Sequence, residues 1–174
     1  SRAVYKLEEI NQKFKIFHNG VSVLDLGAAP GSWTQYISKN YKNIKLASID
    51  LKKFAEVDNT FQIIGDFTED IYKQKILNFF QGKIDIIISD MAVNTTGNKN
   101  LDSIVTGELC LKAMIFAINH LNEKGTFVSK IFMGSSFNEI ILKGKKSFKD
   151  IKVFKPTSSR KESKETFLIC RYLK

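Results

Sequence analysis

Three acids stand where strand-like runs stop: Asp50 after Ile44 to Ile49, Asp66 after Phe61 to Gly65, and Asp90 after Lys83 to Ser89. One such acid is ordinary, because Asp also starts turns and caps helices. Three in succession suggest a shared site, because the carboxyl ends of parallel strands form the ligand crevice of an α/β sheet. Lys130 is the fourth unusual residue. Its neighbours Phe127, Val128, Ile131 and Phe132 are apolar, so its strand reads as buried, and buried unpaired lysines are rare. Two readings stand open: a lysine snorkelling to water at the strand's end, or one that burial and neighbouring positive charge poise as a base. Glu165 opens the last strand and could reach the same edge, although alone it reads more readily as a solvated charge. Lys6, beside the apolar face of a first helix, reads alone as a surface cation.

The turn that would complete such a site follows the first strand. Val21 to Leu26 is apolar, Gly27-Ala28-Ala29-Pro30-Gly31 is a small-residue turn, and Ser32 to Asn40 is compatible with a helix. A strand, glycine turn and helix in this order bring a ligand close to the backbone and aim helix N-terminal amides at it. Asp50 lies 23 residues beyond Gly27, near the offset at which nucleoside-binding folds place the acid that grips ribose hydroxyls. Ala29 and Ser32 occupy two glycine positions of the dinucleotide motif, so a pyrophosphate is disfavoured. A nucleoside with a small zwitterionic tail suits the turn better, and S-adenosylmethionine is the obvious example. Asp50 would then hold the ribose diol, and Asp66 would take the adenine amino group or lie near it. Asp90 would sit where the methionine end meets the second substrate. The plainer alternative is a βα turn that binds nothing. Trp33, at the helix start, reads equally as core.

The supporting elements alternate. Val4, Leu7, Ile10, Phe14 and Phe17 mark an amphipathic helix across residues 1–17. Helical periodicity returns at Ile71 to Phe80, Ile104 to Leu121 and Phe137 to Phe148, and Met91 to Asn100 reads as a loop. The β-branched run Ile84, Ile86, Ile87, Ile88 is typical of a strand buried on both faces. Thr126 to Phe132 is another strand, and Ile151 to Phe154 and Thr166 to Tyr172 close the chain. This order predicts one α/β domain over residues 1–174, Rossmann-like. Its seven-stranded sheet should be mostly parallel, with helices on both faces and an antiparallel C-terminal edge strand.

Composition narrows the partner. A net charge of +9 favours a polyanion, although an AT-rich genome would also enrich lysine. The Lys143, Lys145, Lys146, Lys149, Lys152, Lys155 run is a solvated basic face that can also track phosphates. Cys110 and Cys170 stand far apart with only His18 and His120 for company, so neither a metal site nor a disulfide framework is expected. No apolar run reaches the roughly 18 residues of a membrane span.

Taken together, the motifs resemble the FtsJ/RrmJ-type ribose 2′-O-methyltransferases, and the resemblance covers essentially the whole chain. Ser1-Arg2-Ala3-Val4-Tyr5-Lys6-Leu7 is similar to the family's S-R-[AS]-x-[FY]-K-L opening, and Leu24 to Trp33 to its D-L-G-A-A-P-G-G-W cofactor motif. Ser89-Asp90-Met91-Ala92-Val93-Asn94 with Gly97 resembles S-D-M-A-P-N-x-x-G, and Val128 to Phe132 the lysine strand. Ser158 to Glu165 resembles the closing S-S-R-x-x-S-x-E. The resemblance implies a catalytic tetrad of Lys6, Asp90, Lys130 and Glu165. It implies cofactor contacts at Gly27, Pro30, Gly31, Ser32, Trp33, Asp50, Asp66 and Asp90, and no metal. Ser32 replaces a glycine and should be harmless, whereas Val93 replaces a proline and bears on substrate positioning. The compact form resembles the bacterial members that methylate a uridine of large-subunit ribosomal RNA, so a monomeric, cytoplasmic enzyme acting on RNA in the ribosomal particle is expected. A tRNA-directed member and an inactive RNA-binding assembly protein are the alternatives.

Overall fold

The computed structural model describes residues 1–92 and 96–174. The helices of the described residues are α1 (Arg2–Phe14), α2 (Ser32–Asn40), α3 (Asp70–Phe80), α4 (Lys99–His120) and α5 (Phe137–Ser147). The strands are β1 (Ser22–Leu26), β2 (Lys45–Asp50), β3 (Thr60–Ile64) and β4 (Ile84–Ser89), then β5 (Leu121–Phe132), β6 (Phe148–Phe154) and β7 (Glu165–Leu173). They form one sheet in the order β3-β2-β1-β4-β5-β7-β6. The pairs from β3 to β5 are parallel, and β7 runs antiparallel to both β5 and β6. This is the expected mostly parallel, Rossmann-like sheet with antiparallel pairing at its C-terminal side. The last strand inserts beside β5, which leaves β6 outermost.

Strand alternation sorts the core into two layers. Leu24, Leu26, Ile49, Ile87 and Phe127 face α3, α4 and α5, meeting Ile76, Met114 and Ile140. Val23, Ile86, Ile88, Val128 and Phe167 face α1 and α2, meeting Leu7, Ile10, Phe14, Trp33 and Ile37. Helices on both faces explain why β4 reads as a continuous apolar run rather than an alternating one. No helix of the described residues is long and apolar enough to cross a membrane.

Several boundaries differ from the periodicity, the fifth strand for example beginning at Leu121 rather than Thr126, and three of them have a local reason. The first helix stops at Phe14 instead of running to residue 17, because Lys15 turns left-handed (φ 53°) and Asn11 Oδ1 accepts the backbone N–H groups of Ile16 (2.9 Å) and Phe17 (3.0 Å). The fourth helix begins at Lys99, ahead of its first apolar residues, because the Asn98 side chain caps Leu101 N–H (3.2 Å). The sixth strand begins at Phe148 rather than Ile151. Its Lys149, Asp150 and Lys152 obscure the alternation, but Phe148 is buried and pairs with Leu173.

Candidate active site

The same alternation that builds the α1 layer delivers four charged side chains to one place. Asp90 follows Ile88 by two residues, Lys130 follows Val128, and Glu165 precedes Phe167, so all three extend the layer facing α1 at the carboxyl end of the sheet. Ser89 is in register with Ser129, which sets Asp90 beside Lys130, and Glu165 is in register with Phe132. α1 adds Lys6 from above. The charges alternate in an unbroken chain: Lys6 Nζ lies 2.5 Å from Glu165 Oε1, Glu165 Oε2 is 3.7 Å from Lys130 Nζ, and Lys130 Nζ is 3.0 Å from Asp90 Oδ1. The solvated reading of Lys130 and Glu165 is therefore not what the fold does with them. Only 9% of Lys130 is exposed, and it is paired. Burial pushes the Asp90 carboxyl up from its ordinary value despite the opposing pull of Lys130.

Asp90 also lines a cleft of about 520 Å³ at the point where the sheet order reverses between β1 and β4. Gly27, Ala29, Asp50, Gly65, Asp66 and Met91 are among its other walls. Gly27 has φ 71°, and a Cβ there would lie 2.0 Å from Met91 Cγ, so glycine is favoured at this position for two separate reasons. Asp50 fixes the turn: its Oδ2 accepts from Ala29 N–H (2.9 Å) and its Oδ1 from Lys52 N–H (2.8 Å). Asp66 Oδ1 accepts from the Thr68 hydroxyl (2.7 Å) and backbone N–H (2.9 Å). These bonds, helped by Lys112, hold its carboxyl below the usual aspartate range and keep it an acceptor.

Pro30, Gly31, Ser32 and Trp33 do not line this cleft. Pro30 is exposed, and Gly31 is the left-handed N-cap of α2 (φ 109°), with no side chain to cap the first turn. The Trp33 ring is core: it packs on Phe167, and Nε1 donates to Ala3 C=O (2.6 Å), tying α1 to α2. Val93 lies outside the described residues. Among the described residues no cluster of three His, Cys, Asp or Glu could hold a metal ion.

Three residues bearing on the site were not singled out from the sequence. Lys112 lines the cleft from α4, where it reads as one more polar helix position. Asp25 lies beneath the turn, fully buried, accepting from Thr34 Oγ1 (2.7 Å); burial first, with Asp90 and Asp50 adding, pushes its carboxyl up to about 7. Its signal was present, as an acid inside an otherwise apolar strand. Glu9 of α1 accepts from the backbone and hydroxyl groups of Thr157 and Ser158. No local pattern announces a contact between residues so far apart in the chain.

Residues 1–173 match the model of the FtsJ-like methyltransferases. The chain is 60% identical over 174 residues to ribosomal RNA large subunit methyltransferase E of Pelagibacter ubique, covering all of this chain and 86% of that one. It is 46% identical to the protein of the same name from Rickettsia bellii, covering 97% and 77%. Among solved structures, a Plasmodium falciparum protein assigned as a ribosomal RNA methyltransferase superposes with a TM-score of 0.87 at 34% identity, covering 99% and 97%. A Streptococcus mutans protein assigned as a methyltransferase, solved with SAH, shares the fold at a TM-score of 0.62 and 12% identity, covering 95% and 97%. The chain belongs to the FtsJ-like methyltransferase family.

Proposed function

We propose that this protein transfers a methyl group from S-adenosylmethionine to a ribose 2′-hydroxyl of RNA, with a uridine of large-subunit ribosomal RNA as its target. One observation carries the reading: Asp90 belongs at once to the cleft wall and to the Lys6–Glu165–Lys130–Asp90 chain, so a small-molecule pocket and a proton-handling cluster share an edge. The names of the relatives and the net charge of +9 support ribosomal RNA as the partner.

The cleft fits the cofactor. Its volume is of the size small-molecule sites use. The glycine turn leaves backbone exposed for close approach, Asp50 stands ready for a ribose diol, and Asp66 is an acceptor suited to an exocyclic amine. Ile49, Phe67, Met91 and Leu109 give apolar walls. Bound there, S-adenosylmethionine supplies an activated methyl on its sulfonium.

What remains for this chain is to align the hydroxyl and remove its proton. Alignment can supply several kcal/mol, and a positioned base roughly 10²–10⁴-fold in rate. Lys130 is the base, and the 2′-hydroxyl proton passes to Nζ as the oxygen is methylated. Lys130 acts in its neutral form, and Asp90, 3.0 Å from Nζ, orients the amine. Lys6 and Glu165 position the ribose. The test is transfer of labelled methyl to undermethylated large subunits, naked large-subunit RNA and unmodified tRNA. Label in large-subunit RNA supports the reading; label in tRNA alone, or none, overturns it.

A further inference from the structure

Glu9 stands on α1 three residues after Lys6, a spacing that puts both on one side of the helix. Its carboxylate is fully engaged by two consecutive residues of the segment between β6 and β7. Oε1 accepts from Thr157 N–H (3.0 Å) and from the Thr157 hydroxyl. Oε2 accepts from Ser158 N–H (3.2 Å) and from the Ser158 hydroxyl (2.7 Å). Burial alone would push this carboxyl up, but the four hydrogen bonds outweigh it and hold Glu9 below the usual glutamate range. Such charge-assisted bonds are the stronger kind.

The segment so gripped ends in Glu165, which meets both Lys6 and Lys130. Little slack separates grip and acid. Ser159 N–H closes a turn on Pro156 C=O (3.1 Å), and Ser163 N–H closes a second on Arg160 C=O (3.1 Å). Lys164 C=O accepts from Met133 N–H (2.9 Å), and Glu165 N–H donates to Ser163 Oγ (3.1 Å). The elements on either side do not need the grip. α1 is fastened by Leu7, Ile10 and Phe14 in the core and by the Trp33 contact, and β7 is paired on both sides from Phe167 onward, whereas Glu165 at its start pairs with β5 alone. Of residues 157–164 only Ser159 is buried. The four bonds therefore act on the segment itself.

We propose that Glu9 is a positioning residue: by clamping Thr157 and Ser158 to the first helix, it holds Glu165 in register with Lys6 and Lys130. The proposal rests on the methyl-transfer reading of that cluster. It predicts that Glu9→Ala slows single-turnover transfer to large-subunit RNA by about 10–100-fold, the scale on which small misplacements act. Affinity for S-adenosylmethionine should stay within about threefold, because neither α1 nor residues 157–164 line the cleft. Glu9→Gln, which keeps one acceptor oxygen, should recover part of the rate. Adding Thr157→Ala and Ser158→Ala to Glu9→Ala should cost little more, since both sides of one contact are already gone. Hydrogen exchange should speed up at Ser159 to Glu165 in Glu9→Ala and not at Val23 or Ile88. A rate near wild type overturns the proposal, and so does loss of cofactor affinity in proportion to rate, or losses that multiply in the combined variant. If the wild type is silent on every RNA, the methyl-transfer reading falls, and hydrogen exchange still decides the clamp: unchanged protection at Glu165 overturns it.

Discussion

Asp25 makes the stability of this protein depend on pH in a direction unusual for an acid. It is 1% exposed, and among the described residues its hydrogen-bond donor is the Thr34 hydroxyl. Asp90 and Asp50, at neighbouring strand ends, add repulsion. The folded carboxyl titrates at about 7 against an ordinary 3.8. The folded state therefore holds the proton where the unfolded chain has released it. This contribution is complete below pH 3.8, declines as pH rises, and is gone above about pH 7. A rise of about three in pKa is worth roughly 4 kcal/mol in all, of which about 3 kcal/mol falls between pH 5 and pH 8. Asp25→Asn removes the titration and keeps a carbonyl for Thr34. Its new amide N–H groups carry their own cost, but that offset is the same at both pH values and cancels. In urea unfolding, the stability of Asp25→Asn relative to wild type should improve by about 3 kcal/mol from pH 5 to pH 8, a relative midpoint gain of roughly 1–3 M. A difference that does not move with pH refutes the argument and means Asp25 is ionised in the fold.

Further expectations follow from the charged cluster and the cleft. Lys130→Met should lower single-turnover transfer by at least about 10²-fold while cofactor binding persists, and Lys130→Arg should not restore it, because a guanidinium cannot act as a base. Asp66→Asn should weaken S-adenosylmethionine about tenfold or more in calorimetric titration, since an acceptor held ionised becomes an amide that also presents donors. Burial pushes both thiols up, Cys110 to about 11 and Cys170 further, so neither should be alkylated by iodoacetamide at pH 8 until the protein is denatured.

Much of this was legible in the chain because the informative residues are out of place for their surroundings. A lysine inside Phe127 to Phe132 and acids ending apolar strands violate simple burial, and the fold resolves each violation by pairing or by opening a cleft. Parallel order followed from strands separated by helices. The position of β7 between β5 and β6 did not, because the pairing partners of a terminal strand depend on contacts distant in sequence. The same limit hid Glu9, whose partners lie at residues 157 and 158, and the side of the chain to which Trp33 turns. Helix ends were misplaced where polar side chains, Asn11 and Asn98, bond the backbone and override the apolar period. Lys112 gave no warning, because one lysine on a long helix is common whether or not a pocket lies beneath it.

The central claim is that Lys130 activates a ribose 2′-hydroxyl of large-subunit ribosomal RNA. The most direct measurement transfers labelled methyl to undermethylated large subunits with wild type and Lys130→Met in parallel, then hydrolyses the RNA in alkali. A methylated 2′-oxygen cannot attack its neighbouring phosphate, so the label should survive in an alkali-resistant dinucleotide at one uridine, and only with the wild type. Label released as mononucleotide would place the methyl on a base, and equal label from Lys130→Met would take the proton-removing role away from Lys130. Either result contradicts the account.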